Sequence, residues 1–355
     1  MTRERLPVLV TAIGGGGHGE QILKALRLAN DGRYRIIGAD ANPRNPQFAL
    51  VDDAVTLPLA SDPGYLDALF GLIDRFGIKA VFHGCEPELR LFSRHRDRFA
   101  DADIFLPINP SGVIDLCMEK AATNRVLGEL GFRCPRYAPF STRDALDTID
   151  FFPVVVKPSL GGGGSANVYV AQSPTELRGL ADYLGLETHV STFLVQEYVG
   201  TADDEFTVGV LHDMDGKYLN AIAVHRSLSG QMNIRMAVPN RTGRAALGNR
   251  LVISSGISHG QVGRYPEVTA QCAAIARAIG SRGPINVQCR LVDGIVMVFE
   301  INPRFSGTTS LRAMMGYNEP DVLIRRHIFG ETIAVDFPYR DGYVSRSLTE
   351  TVVLG

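Results

Sequence analysis

The first hundred residues alternate in a pattern that one architecture accommodates. PVLVTAI, YRIIGAD and KAVFHG read as strands, EQILKALRLAN and GYLDALFGLIDRFG read as the helices between them, and Gly, Pro or Asp bounds each piece. Strand, helix, strand in this order is the βαβαβ arrangement, in which successive strands pair in parallel beneath covering helices. A Rossmann-like domain is therefore expected over residues 1–110. Gly14, Gly16 and Gly19 satisfy G-x-G-x-x-G between the first strand and the first helix, and Asp40 ends the next strand where a ribose-binding acid is expected. Taken alone, this predicts an NAD(P)-binding oxidoreductase, although any such unit needs glycines where a strand turns tightly into a helix. His18 reads as a solvated loop residue. His83, Gly84 and Glu86 follow the third strand, at the carboxyl edge where open α/β sheets bind ligands.

Beyond Pro110 the pattern changes. SGVIDLCMEKAATNRVLGELG has helical period, is opened by Ser111 and closed by Gly131, and reads as a connecting helix within residues 111–133. Residues 134–197 read as a small mobile subdomain: two strands about a glycine run in FPVVVKPSLGGGGSANVYVA, a helix capped by Ser173 with Glu176, and the strand FLVQEYV. Residues 198–355 carry a hairpin (EFTVGVLHD and KYLNAIAVHR), the helix PEVTAQCAAIARAIG, and a second hairpin, INVQCRLVDGIVMVFEINPRF, turning at Asp293-Gly294. The tail YRDGYVSRSLTETVVLG fits a terminal strand or a partner contact. With 36 Lys+Arg against 38 Asp+Glu, no positive field makes nucleic acid the expected partner. Five dispersed cysteines without a C-x-x-C pair suggest neither a disulfide scaffold nor a thiolate zinc site, which fits a cytoplasmic setting. No apolar run approaches the roughly 18 residues that span a bilayer, so no membrane is expected either.

Two segments carry chemistry. Lys157 lies at the end of an apolar run, where a buried ammonium needs an anion, and Gly161, Gly162, Gly163, Gly164 and Ser165 follow it. A glycine run can bring several backbone N–H groups onto phosphate oxygens. In the late hairpin, Glu300 and Asn302 share a strand face at period two, with Gln288 on the partner strand. These hard oxygen ligands suit magnesium bound together with a nucleotide. Arg304 stands two residues on, where a guanidinium can meet phosphate. A strict two-residue turn at Asp293-Gly294 pairs Gln288 with Phe299 and puts it on the face opposite Glu300. A three-residue turn with a bulge pairs Gln288 with Val298, on the face of Glu300, and the metal reading requires this second arrangement.

Lys120, Lys157 with its glycine run, Gln196-Glu197-Tyr198-Val199 with Glu205, then Gln288, Glu300, Asn302 and Arg304 occur in the order and approximate spacing of the ATP-grasp superfamily. Within it, the set resembles the synthetase domains of the carbamoyl phosphate synthetase large subunit, and the resemblance covers essentially the whole chain. It implies a Rossmann-like pre-ATP-grasp domain, then an ATP-grasp domain split into a lid (134–197) and a large subdomain (198–355). It also implies ATP with one or two Mg2+, Mn2+ being able to substitute. Glu197, Tyr198 and Val199 would form the adenine hinge, and Glu205, or Asp204 one residue earlier, would take the ribose. Lys120, Lys157 and the glycine run would hold phosphates. Gln288, Glu300 and Asn302 would ligate metal, with Arg304 on the γ-phosphoryl or acyl-phosphate side.

The implied reaction is carboxylate–amine ligation through an acyl phosphate, with Lys157, Glu300 and Arg304 as its catalytic residues. Small-molecule acid and amine substrates follow from it; dimerisation is usual in that family, and no residue of the sequence demonstrates it. The carbamoyl phosphate enzymes place an arginine where this chain has Gly307, so an amino acid or other small carboxylate is preferred to bicarbonate. Arg226, Arg235 and Arg312 are then candidates for the substrate carboxylate. A non-catalytic ATP-binding regulator stands beside the oxidoreductase as an alternative of another class.

Overall fold

The structure, a computed structural model, describes residues 5–29, 32–140, 142–160, 166–185, 193–349 and 351. Strands β1 (Leu6–Val10), β2 (Tyr34–Asp40), β3 (Asp53–Thr56) and β4 (Ala80–Phe82) form one sheet in the order β3-β2-β1-β4, every pair parallel. The expected strands and helices are present. The four-residue edge strand β3 and the helices Glu86–Arg94 and Arg96–Asp101 were not anticipated; β3 and Arg96–Asp101 are too short to show a period. The glycines serve packing. A Cβ on Gly84 would lie 1.9 Å from the Thr11 carbonyl oxygen and one on Gly19 2.4 Å from that of Ala12, so helix His18–Arg27 and the loop after β4 both rest directly on backbone. Asp40, expected at a ribose, instead accepts hydrogen bonds from Gly14 N and Asn42 N, both at 2.9 Å, and closes the glycine loop.

The single connecting helix is in fact two, Ser111–Met118 and Lys120–Glu129. Glu119 between them is extended because it bridges to Leu160, while its carboxylate accepts from Ala122 N and Ser159 Oγ. The break makes Lys120 the first residue of a helix, its amide donating to the Ser159 carbonyl.

β5 (Tyr137–Pro139), β6 (Val154–Pro158), β7 (Tyr169–Ala171) and β8 (Phe193–Glu197) form an antiparallel sheet ordered β5-β8-β6-β7. Ser173 caps helix Pro174–Tyr183, as its sequence predicts. The glycine run and Ser165 lie outside the described residues.

Next come β9 (Glu205–His212), β10 (Tyr218–Arg226), a separate two-stranded ribbon of β11 (Ile234–Pro239) and β12 (Arg250–Ser254), β13 (Gly260–Gly263), β14 (Pro284–Val292), β15 (Ile295–Asn302) and β16 (Gly342–Val344). The main sheet runs β15-β14-β9-β10-β13-β16, so the tail supplies an edge strand. Central β9 is buried throughout. Val208 and Val210 pack toward helix Pro266–Ala278, while Leu211 and Ile222 share a cluster with Val8, Ile22 and Phe82 of the first domain. That shared core holds the N-terminal sheet against the large one. Among the described residues no helix is long and apolar enough to cross a membrane.

Arg312 and Glu319, each 1 % exposed, pair at 3.4 Å beneath Gly209, with Asn286 Oδ1 accepting from Arg312 and Thr309 Oγ1 donating to Glu319. Removing one partner of such a pair strands the other. Arg312→Ala is expected to lower unfolding stability by about 3 kcal/mol in urea denaturation, and Arg312→Met/Glu319→Leu by clearly less.

Candidate active site

A cleft, open to solvent at its mouth, lies between the β5–β8 sheet and the main sheet. Lys157 on β6 lines it, 6 % exposed, donating to Gln196 Oε1 at 2.6 Å and to the Phe299 carbonyl at 2.8 Å. Gln196 Nε2 donates to Asn124 Oδ1, and Asn124 Nδ2 donates to the Lys120 carbonyl. This chain of amides fixes both lysines. Burial lowers the Lys157 pKa to about 7, the Lys120 charge adds to the shift, and the Glu300 carboxylate opposes it. Lys120 Nζ stands 3.8 Å from Glu300 Oε1. Two cations thus face one carboxylate, and the cleft favours further negative charge.

The late hairpin follows neither turn arrangement in full. Asp293 (φ 51°) and Gly294 (φ 75°) make the strict two-residue turn, with Val292 opposite Ile295 and Cys289 opposite Val298. The ladder then slips by one residue, so that Gln288 pairs with Glu300 and Asn286 with Asn302, leaving Phe299 as the extra residue of a β-bulge. The bulge, not the turn, puts Gln288 and Glu300 side by side. It also offers the Phe299 carbonyl to Lys157.

Asn302 is buried, its Oδ1 accepting from Arg304 Nη2 at 2.9 Å; the same nitrogen reaches Glu86 Oε1 at 2.9 Å. Burial works against the Glu86 charge, but Arg304 prevails and holds that carboxyl below its usual range. The N-terminal domain thus contributes to the site. His18, expected in solvent, is buried and meets His83 at 3.1 Å between Nε2 and Nδ1. Burial, then Arg304, depresses both histidines, His83 to about 3.

Glu197, Tyr198, Val199 and Glu205 all line the cleft. Both Glu205 oxygens are already engaged, Oε1 by Arg226 and Oε2 by Arg290, each at 3.1 Å. Arg290 also donates to the Val199 and Val252 carbonyls and stacks over Tyr198. The rival acid, Asp204, is spent on a capping box with Thr201. Two of the expected substrate arginines are corrected. Arg226 is 4 % exposed, with Glu205, Ser254 Oγ and the Ser255 and Ile257 carbonyls around it, and Arg312 is buried against Glu319; each charge is paired inside the fold with a protein carboxylate. Arg235 lies exposed on β11, outside the cleft lining. At Gly307 the carbonyl accepts from Arg346 Nη2, a residue of the tail. Asn124, Arg290 and Arg346 escaped sequence reasoning, since none stands in a motif; Glu86 was visible only as a residue at a sheet edge.

Residues 9–106 match the family model described as "PylC-like, N-terminal domain", and residues 189–347 the model described as "ATP-grasp in the biosynthetic pathway with Ter operon". The chain is thus similar to a PylC-like N-terminal domain over its first part and to an ATP-grasp domain over its later part. Among curated proteins it is similar to the carbamoyl phosphate synthase large chain of an Arthrobacter species, 29% identical over 280 residues that cover 74% of this chain and 23% of the relative. The same protein of Kineococcus radiotolerans is 32% identical over 205 residues, 55% of this chain and 16% of its own. The chain thus spans less than a quarter of these relatives. Among solved structures, biotin carboxylase from Campylobacter jejuni (TM-score 0.64, 16% identity, 91% of this chain and 70% of that one) shares the fold. So does L-amino acid ligase from Bacillus licheniformis (TM-score 0.63, 17% identity, 92% and 74%).

With its pKa near 7, Lys157 is expected to titrate about three units below an ordinary lysine. NMR of the lysine Cε methylenes should show one resonance titrating near neutrality that vanishes in Lys157→Arg. Lys120→Met removes a neighbouring cation and should move it upward.

Proposed function

We propose that this chain is an ATP- and Mg2+-dependent carboxylate–amine ligase acting on an amino acid or other small carboxylate. The observation that carries the reading is convergence: Lys120, Lys157, Gln288 and Glu300, from four separate segments, line one cleft, and Asn302 and Arg304 continue the Glu300 strand beyond it. A substrate carboxylate oxygen attacks the γ-phosphorus of ATP, the bond to the β-phosphate oxygen breaks, and ADP leaves. The amine nitrogen then attacks the acyl carbon, phosphate departs with the acyl oxygen, and the amine proton passes to it. Phosphoryl transfer of this kind asks for positioning and charge neutralisation more than for a protein nucleophile.

Lys120 and Lys157 bind the phosphates, whose charge returns Lys157 to its ammonium form. Arg304, oriented by Glu86 and Asn302, faces the acyl phosphate. Glu197 and Val199 present backbone and side chain to the base, and Glu205, held by two arginines, offers a fixed wall at the ribose. The donor set suits a hard divalent cation: Glu300 supplies a carboxylate, the adjacent Gln288 an amide oxygen, and Asn302 Oδ1 keeps a second lone pair beside its bond from Arg304. When bound, Mg2+ neutralises phosphate charge.

A second reading, bicarbonate activation, is favoured by the similarity to carbamoyl phosphate synthase chains. ADP release with bicarbonate alone, against release that needs an organic acid and an amine, separates the two. Glu300→Ala and Lys157→Met are expected to reduce ADP release by about 10³-fold while urea midpoints stay at or above wild type. Near wild-type turnover in either variant, with an acid and amine the parent accepts, would show the catalytic assignment to be wrong. Because Lys157 loses its proton above about pH 7 in the free protein, Mg·ATP binding at pH 8 should take up protons, measurable by calorimetry in buffers of different ionisation enthalpy.

A further inference from the structure

The ribbon of β11 and β12 is inserted between β10 and β13, and among the described residues it pairs with no other strand. Its base is pinned to the large side. Arg226 donates to Ser254 Oγ and the Ser255 carbonyl, and Arg290 to the Val252 carbonyl. Its far end reaches the smaller sheet. Gln172, one residue beyond β7 and 8 % exposed, donates from Nε2 to the Pro239 carbonyl at 3.0 Å and accepts at Oε1 from Arg241 N at 2.7 Å. One side-chain amide thereby meets the ribbon as a neighbouring strand would, with one donor and one acceptor. Turning the amide over loses both bonds.

Apolar contact runs beside this pair. Leu247, buried in the loop between β11 and β12, and Leu251 share a cluster with Tyr198 and with Val155 and Val170 of β6 and β7. Tyr198 Oη accepts from Val252 N at 2.8 Å. Arg244, from the same loop, donates to the Phe152 carbonyl at 2.9 Å and stands 3.6 Å from Glu197 Oε1. An exposed ion pair of that kind contributes little, so the buried amide and the apolar contact do most of the holding. Val252 and Ile253 of the ribbon line the cleft together with Val155 and Glu197, whereas Gln172 does not line it. The ribbon therefore joins both sides of the cleft at the end marked by Glu197 and Tyr198.

We propose that the β11–β12 ribbon is a strap across the nucleotide cleft, fastened to the smaller sheet by Gln172, and that Gln172 is a positioning residue acting through Val252 and Ile253. That the occupant is a nucleotide rests on the ligase reading; the fastening itself does not. The two sheets are then tied twice, once by Lys157 to the Phe299 carbonyl and once by the ribbon. A nucleotide lying between two sheets is retained only while they stay together. Loosening the strap weakens that retention and leaves the lysines and the late hairpin in place.

Gln172→Ala removes both amide bonds. It should raise the Kd for Mg·ADP, read by calorimetry, and the KM for Mg·ATP by about 10-fold, while kcat at saturating ATP does not fall. Leu247→Ala, which loosens the strap through apolar contact alone, should act in the same direction. Gln172→Glu, still able to accept from Arg241 N but not to donate to Pro239, should fall between the parent and Gln172→Ala. Hydrogen exchange at the Arg241 amide should be slow in the parent, slower with Mg·ADP, and fast in Gln172→Ala. An unchanged Kd in Gln172→Ala despite fast exchange overturns the strap and leaves the ligase reading standing, as does a fall in kcat with Kd unchanged. The stated shifts in Kd and exchange, in a chain that ligates no acid to any amine, support the strap and sink the ligase reading. Failure of the parent to bind Mg·ADP overturns both.

Discussion

The Lys157 ammonium is the point on which the site depends. It sits inside the protein with a side-chain amide and a backbone carbonyl for company and, among the described residues, no carboxylate in hydrogen-bond contact. Its two acceptors come from different sheets, Gln196 from β8 and Phe299 from β15. One side chain therefore ties the smaller sheet to the larger across the cleft. Because the fold leaves this charge undercompensated, the cleft is electrostatically unfinished in the way a polyanion site must be. In the Arg312–Glu319 pair, by contrast, the charges face each other inside the fold.

Around the cleft, acids pair the arginines that build the walls: Glu205 with Arg226 and Arg290, and Glu86 with Arg304. Arg226 illustrates the rule. It looked like a substrate group because it is a cation on a strand of the large domain, but it is 4 % exposed, and its two terminal nitrogens are held by four protein oxygens. The useful variable is charge balance at depth, which residue type does not reveal.

Local physics made much of the fold legible. β1 and β2 are apolar strands long enough to be buried, helices Tyr65–Phe76 and Pro266–Ala278 show clear 3.6-residue periods, and Asp293-Gly294 demands a tight turn. The late-hairpin residues and both lysines were recognisable because each sits in a short stretch with its own grammar. The break at Glu119 was not, because its cause is a bridge to Leu160, far along the chain. The G-x-G-x-x-G pattern was read correctly as a strand-to-helix turn, while its ribose acid proved to be the clasp of its own loop.

The amino-acid order by itself determined which segments become strands, helices and turns, and which of them carry lysine, glutamate and amide groups, since these follow from neighbours within a few residues. Only the tertiary structure decided that Gln288 stands beside Glu300, that Glu86 holds Arg304, and that Arg346 lies at Gly307. Register slips, charge compensation and contacts between distant segments depend on how sheets pack, and packing is a property of the assembled chain rather than of any stretch of it.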